Sequence, residues 1–124
     1  MKKMIILVIA GALGTGARYV LGGWVHNLLG SEFPFGTLIV NALGCLSIGF
    51  LGTLIDERLL FSPQVRLFLI IGFLGAFTTY SSFAYETWMM TKDGEFVYAL
   101  VNIFGTLAVC FVCLFVGVLL ARLL

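Results

Sequence analysis

An all-α membrane protein with four transmembrane helices, the third broken in mid-membrane, is the fold this sequence predicts. Three observations carry that reading. Hydrophobic residues make up 61% of the 124-residue chain and charged ones 10%, a balance foreign to soluble domains. Four apolar segments, approximately Met4 to Trp24, Thr37 to Ile55, Val65 to Met90 and Phe96 to Ala121, reach the length of about 20 residues that a helix needs to cross the hydrocarbon core. Charged residues gather between them: Glu32, then Asp56, Glu57, Arg58 and Arg66, then Lys92, Asp93 and Glu95. The short connections make residues 1–124 one domain, a compact stack of helical hairpins with both termini on one side. A net charge of +1 leaves no basic or acidic tract of the kind that binds nucleic acid.

In the first span, Lys2 and Lys3 before the apolar run Met4 to Ala10 imitate a secretory signal. The apolar character continues through Val20 and Leu21, so an uncleaved first helix is expected. Ala10, Gly11, Ala12, Gly14, Thr15, Gly16 and Ala17 form overlapping small-xxx-small pairs, which let helix backbones approach closely in lipid. Arg18 is the one cation well inside a span. Two roles stay open for it: anchoring by snorkelling toward the interface that Tyr19 and Trp24 mark, or an electrostatic role in function. His26 is expected in the connection that follows, as a headgroup contact.

The second span opens on Pro34, Phe35, Gly36 and Thr37, where Pro suits a first helical turn and Thr37 can cap nearby amides. Asn41 falls one turn after Thr37 and one turn before Gly44 and Cys45. Its amide needs a partner in hydrocarbon, so it either joins helices or lines a polar track.

The third span contains Gly72 to Glu86, GFLGAFTTYSSFAYE, which carries the chemistry. Thr78, Thr79, Ser81 and Ser82 put four hydroxyls within five residues in mid-membrane. An unpaired polar group in hydrocarbon costs several kcal/mol, so the cluster should face protein, an ion or a wet pathway. Gly72 and Gly75 weaken the helix and the hydroxyls compete for its backbone, which predicts a break near Phe77 to Tyr80. Half-helix ends at such a break can coordinate ions. Phe77, Tyr80 and Phe83 recur every third residue, a spacing that packing alone can explain. Glu86 is expected near the far end, as an interfacial acid or a vestibule residue.

The fourth span stacks Tyr98, Asn102 and Thr106 on one stripe, each a turn after the last. Cys45, Cys110 and Cys113 all fall inside spans. Cys110 and Cys113 have C-x-x-C spacing without a second pair or a His, and read as packing or lipid-facing residues.

Gly11 to Tyr19 (GALGTGARY), Pro34 to Gly44 (PFGTLIVNALG) and above all Gly72 to Phe83 (GFLGAFTTYSSF) resemble the Fluc, or CrcB, family of fluoride channels, in order and over nearly the whole chain. The resemblance implies a fluoride-selective passive channel in the bacterial inner membrane that relieves fluoride toxicity. It further implies a dual-topology antiparallel homodimer with two pores. By the same resemblance Asn41, Tyr80 and Phe83 line each pore, Tyr98, Asn102 and Thr106 form a polar track, and Arg18 is the family's first-span Arg. Break carbonyls matching Gly75 and Thr78 would hold a structural sodium ion at the dimer axis.

Two departures stand out. Tyr80 occupies a position where the family usually has Phe. Alternating the loops puts Lys2, Lys3, Arg58, Arg66 and Arg122 on one side against Lys92 and Arg18, whereas a dual-topology protein should show little Lys/Arg bias.

These residues suit a small, strongly hydrated anion. A fixed cation in mid-pore would bind too tightly to release, whereas conduction needs weak, multiple sites. Asn41, the hydroxyls of Ser81, Ser82 and Thr106, and the ring edges of Tyr80 and Phe83 are neutral donors of that kind. One subunit is too thin to surround a pathway, which again predicts a homodimer. No G-x-x-x-x-G-K-[ST] motif marks a nucleotide partner, and no catalytic constellation marks an enzyme. Two other readings remain. A small multidrug-resistance-type proton-coupled exporter needs a carboxylate in mid-membrane, and Glu86 sits near an end. A non-transporting assembly subunit would explain the small-residue faces but not the hydroxyl cluster.

Overall fold

The structure, a computed structural model, describes residues 1–124. Helix α1 runs Lys2–Leu29 and α2 Phe35–Arg58. The third span is composite: α3 (Pro63–Arg66), a π-helical stretch (Leu67–Leu74), α4 (Gly75–Phe77), a two-residue gap at Thr78 and Thr79, and α5 (Tyr80–Lys92). Helix α6 (Phe96–Leu123) completes four spans long and apolar enough to cross a membrane. The predicted break is therefore present, at the predicted place.

The helices overrun the apolar segments that predicted them. A 28-residue helix such as α1 is about 42 Å long at 1.5 Å per residue, against a hydrocarbon core of about 30 Å. His26, expected in a connection, lies in the last turn of α1, because no residue interrupts that helix before Gly30. There φ is +82° and the amide caps onto the His26 carbonyl. Helix α2 has no side-chain cap. The capping role expected of Thr37 is not taken up, since its hydroxyl is engaged across the bundle.

Large apolar residues face outward and small ones inward. Only 21 of 124 residues are buried, while Val8, Phe104, Phe111 and Phe115 are among many large side chains left exposed. That inversion fits a surface solvated by lipid tails. The contacts that hold the bundle are backbone against backbone. A Cβ on Gly14 would overlap the Phe73 carbonyl, and one on Gly49 or Gly117 would overlap the carbonyl of Leu114 or Leu46. These approaches seat α1 on the third span and α2 on α6.

Helix α6 runs parallel to α2, as the far end of the pair shows. Arg122 clasps Glu57 through two bonds of 2.6 and 3.2 Å, and Arg58 donates to the Arg122 carbonyl. Arg66 pairs with Asp56 at 3.3 Å in the same cluster. Three of the cations assigned to one side by loop alternation thus share one end of the bundle. Gly36, at the start of α2, packs on Gly22, near the end of α1, so α1 is antiparallel to α2 and both termini lie at that charged end.

Candidate functional site

The break is shaped by side chains that divert backbone donors. Thr78 and Thr79 adopt extended conformations, with ψ of 157° and 110°. Asn41 meets Thr79 as a strand would: its Oδ1 accepts from the Thr79 amide at 2.7 Å and its Nδ2 donates to the Thr79 carbonyl at 2.9 Å. The peptide groups fix the orientation of the carboxamide, because the amide can only donate and the carbonyl only accept. Of the two sequence readings of Asn41, interhelical joining is thus realised. One Nδ2 hydrogen is left over.

The same diversion frees two carbonyls. In a continuous helix the Gly75 carbonyl would accept from the Thr79 amide and that of Thr78 from the Ser82 amide. The first donor is given to Asn41, and the second to Thr79 Oγ1, which caps α5 at 3.2 Å. Gly75 is exposed on the surface of the chain. Opposite the gap, α2 makes room: a Cβ on Gly44 would overlap the Thr78 methyl.

Two concavities meet at this break, and Thr79 lines both. An open groove of about 480 Å³ is walled by Asn41, Gly75, Thr78, Tyr80, Phe83 and Thr106. Tyr80 is 78% exposed, and its ring lies 5.6 Å from that of Phe83 at an angle of 50°. On the other side a polar cleft of about 320 Å³ is walled by Thr15, Arg18, Tyr19, Thr37 and Ser82. Arg18 forms no ion pair, so its charge is free to act on the cleft. Thr79 Oγ1 donates to Ser82 Oγ at 2.9 Å, which leaves the Ser82 proton to point elsewhere. Ser81 is exposed beside Tyr80.

The fourth-span stripe divides. Asn102 and Thr106 are buried, while Tyr98 is 46% exposed and forms no hydrogen bond. Thr87, which nothing in the sequence singled out, organises the other two. Its hydroxyl donates to the Phe83 carbonyl at 2.8 Å, so it must accept from Asn102 Nδ2, at 2.9 Å. Asn102 Oδ1 then accepts from Thr106 at 3.1 Å. The Thr106 proton is spent within the protein, contrary to its expected use as a donor toward the groove.

Glu86 is half-buried rather than at an exposed interface. Its Oε1 accepts from Thr37 at 2.6 Å, while Oε2 is buried without a partner. Thr37, expected to cap amides, meets a carboxylate instead, and Thr87 could have been noticed as a hydroxyl one turn from Phe83. Their pairing across helices has no local signature.

The architecture now has a family to be set beside. The sequence profile described as CrcB-like protein, Camphor Resistance (CrcB), matches residues 5–118. The chain belongs to the CrcB family. A relative from Desulforapulum autotrophicum is 46% identical over 122 residues, covering 98% of both chains. Relatives from Geobacter metallireducens and Nitrosococcus oceani are 42% and 40% identical, each covering 98% or more of both chains. All three are named fluoride-specific ion channel FluC. Membership of CrcB displaces the exporter and the assembly-subunit readings.

Proposed function

We propose that this CrcB protein is a fluoride-selective passive channel of the bacterial inner membrane that lets fluoride leave the cytoplasm. The observation that carries the reading is the pairing of Asn41 with Thr79. It holds a helix open in mid-membrane and leaves neutral donors beside the gap.

Fluoride must exchange its hydration shell for protein hydrogen bonds along the way. Arg18 attracts the anion into the polar cleft from outside the narrow region. The spare Ser82 proton and the second Asn41 Nδ2 hydrogen then offer neutral contacts on either side of Thr79. In the groove, the positive edges of the Tyr80 and Phe83 rings continue the series. Past Arg18, none of these contacts carries a full positive charge, so none holds the ion too tightly to release.

The groove is open along one side of a single chain, and Tyr80 stands on its exposed rim. A second copy would close it. We infer a two-fold homodimer in which each subunit uses the same patch, giving two equivalent pathways, with the subunits antiparallel in a dual topology. The freed Gly75 and Thr78 carbonyls are hard oxygen donors suited to sodium, and two subunits would supply a matching pair each. When bound, that ion would supply fixed positive charge near the pathway. The clustering of Arg58, Arg66 and Arg122 makes topology worth a direct measurement. A Cys at Asp93, in a chain otherwise free of Cys, should react equally from both faces of the membrane, and labelling from one face alone would remove the antiparallel arrangement.

Reconstituted liposomes loaded with fluoride and read by a fluoride electrode test the function itself. Protein-dependent fluoride efflux with chloride retained is expected. Well-folded protein that passes no fluoride would overturn the reading.

A further inference from the structure

The groove is lined by more hydroxyls than free hydroxyl protons. Its walls carry the side-chain hydroxyls of Thr78, Thr79, Tyr80 and Thr106. Three of their protons are spent within the chain. Thr78 donates to the Leu74 carbonyl at 3.0 Å, Thr79 to Ser82 at 2.9 Å and Thr106 to Asn102 at 3.1 Å. A hydroxyl has a single proton, so each of these three presents only lone pairs to whatever enters the groove. Tyr80 has made no such commitment. Its hydroxyl has no hydrogen-bond partner in the chain, and the residue is 78% exposed.

Position makes that free proton matter. Tyr80 opens α5 directly after the break, near the middle of the third span, and its ring leans on Phe83 at 5.6 Å. Lipid tails offer no acceptor at that depth, and an unpaired hydroxyl in hydrocarbon is costly. The phenol therefore needs an acceptor from outside its own chain.

We propose that the Tyr80 hydroxyl donates a hydrogen bond to the anion in the groove, and that Tyr80 thereby sets how strongly this station prefers fluoride to larger halides. The inference rests on the groove being the fluoride pathway. A hydrogen bond to a full charge is roughly twice as strong as one between neutral groups, so an anion is a better acceptor for this proton than any carbonyl. A phenol is also a stronger donor than an aliphatic alcohol, because its ring draws electron density from the oxygen. Fluoride concentrates its charge in the smallest halide and gains most from one short, directed O–H bond. Chloride, larger and more diffuse, gains less. The ring edges of Tyr80 and Phe83 offer a broader, weaker positive region, to which the hydroxyl adds a directed contact. It brings no net charge to the station, so the ion can still leave.

The test measures efflux from reconstituted liposomes across a range of fluoride concentrations. Tyr80→Phe keeps the ring and its packing on Phe83, removes the hydroxyl and breaks no bond within the chain. It should raise the fluoride concentration for half-maximal efflux by about tenfold or more, while the maximal rate holds or rises because a weaker station releases its ion sooner. The margin of fluoride over chloride should narrow with it. Tyr85→Phe is the control. Tyr85 is a second phenol on α5, 65% exposed but outside the groove, and losing its hydroxyl should change neither quantity. An unaltered protein that conducts, with the same half-maximal concentration in Tyr80→Phe, overturns the proposal and leaves the channel standing. The same result with a lowered melting temperature in detergent also overturns it, and assigns the hydroxyl to an acceptor on the partner subunit. An equal shift in Tyr85→Phe overturns it by detaching the effect from the groove. Unaltered protein that passes no fluoride overturns this proposal and the channel reading together.

Discussion

Thr37 donates its hydroxyl proton to Glu86 Oε1 across 2.6 Å, and this is the only hydrogen bond the carboxyl group receives. The bond ties the first turn of α2 to the middle of α5, beside the polar cleft. Removing it by Thr37→Val leaves both carboxyl oxygens without a partner. An unsatisfied buried polar group costs about 1–3 kcal/mol, so thermal unfolding in detergent should report a loss of that order. Glu86→Gln keeps an acceptor for Thr37 and removes any negative charge that would oppose an anion. Its fluoride efflux should equal or exceed that of the unaltered protein. A stable Glu86→Gln protein with abolished flux would show that the carboxyl group itself handles the ion.

Asn41→Asp separates the structural role of Asn41 from its role toward fluoride. The aspartate retains an acceptor for the Thr79 amide but loses the donor to the Thr79 carbonyl and the spare hydrogen facing the groove. It also places a negative charge on the path. Two unit charges 4 Å apart repel by about 4 kcal/mol at an effective dielectric of 20, and about 1.4 kcal/mol is already tenfold in rate. Fluoride efflux should fall by at least about tenfold. Undiminished flux from the aspartate variant would confine Asn41 to holding the break.

Gly44 and Gly16 make a controlled pair for the fit of the break against α2. A Cβ at Gly44 meets the Thr78 methyl, whereas one at Gly16 meets nothing within 4 Å. Gly44→Ala must displace an extended residue already pinned by its hydroxyl to the Leu74 carbonyl. Overpacking of this kind costs about 1–3 kcal/mol. Gly44→Ala should therefore lower both melting temperature and flux, while Gly16→Ala leaves both unchanged. Equal tolerance at the two positions would mean that the break can shift freely along α2.

The contrast between Gly44 and Thr87 explains which parts of this molecule could be read in advance. Spans and the break are local properties. Apolar length sets the first, and glycines beside competing hydroxyls set the second, so both are present where the sequence puts them. Asn41 could be recognised as needing a partner because hydrocarbon supplies none. Which partner it takes depends on α2 lying against Thr79, a relation between residues 38 positions apart. Thr87 carries even less local signal. A threonine one turn beyond Phe83 is unremarkable until Asn102 approaches from α6. The misplacement of His26 has a simpler cause: hydropathy reports where lipid ends, and a helix continues until its backbone meets a reason to stop.

The direction of the hydrogen bonds on α5 and α6 gives the last test. The Phe83 carbonyl can only accept, so the Thr87 proton is committed to it, and Asn102 must present its Nδ2 to Thr87 and its Oδ1 to Thr106. Thr106 therefore turns lone pairs, not its proton, toward the groove, and lone pairs do not stabilise an anion. Ser82 is in the opposite position, because Thr79 donates to it and its own proton remains available. If neutral donors carry fluoride, Ser82→Ala should reduce efflux more than Thr106→Val does. Thr106→Val should register mainly as lost stability, about 0.5–1.5 kcal/mol for one hydrogen bond. The reverse order of effects on flux would mean that Thr106 lets go of Asn102 and redirects its proton as the ion passes.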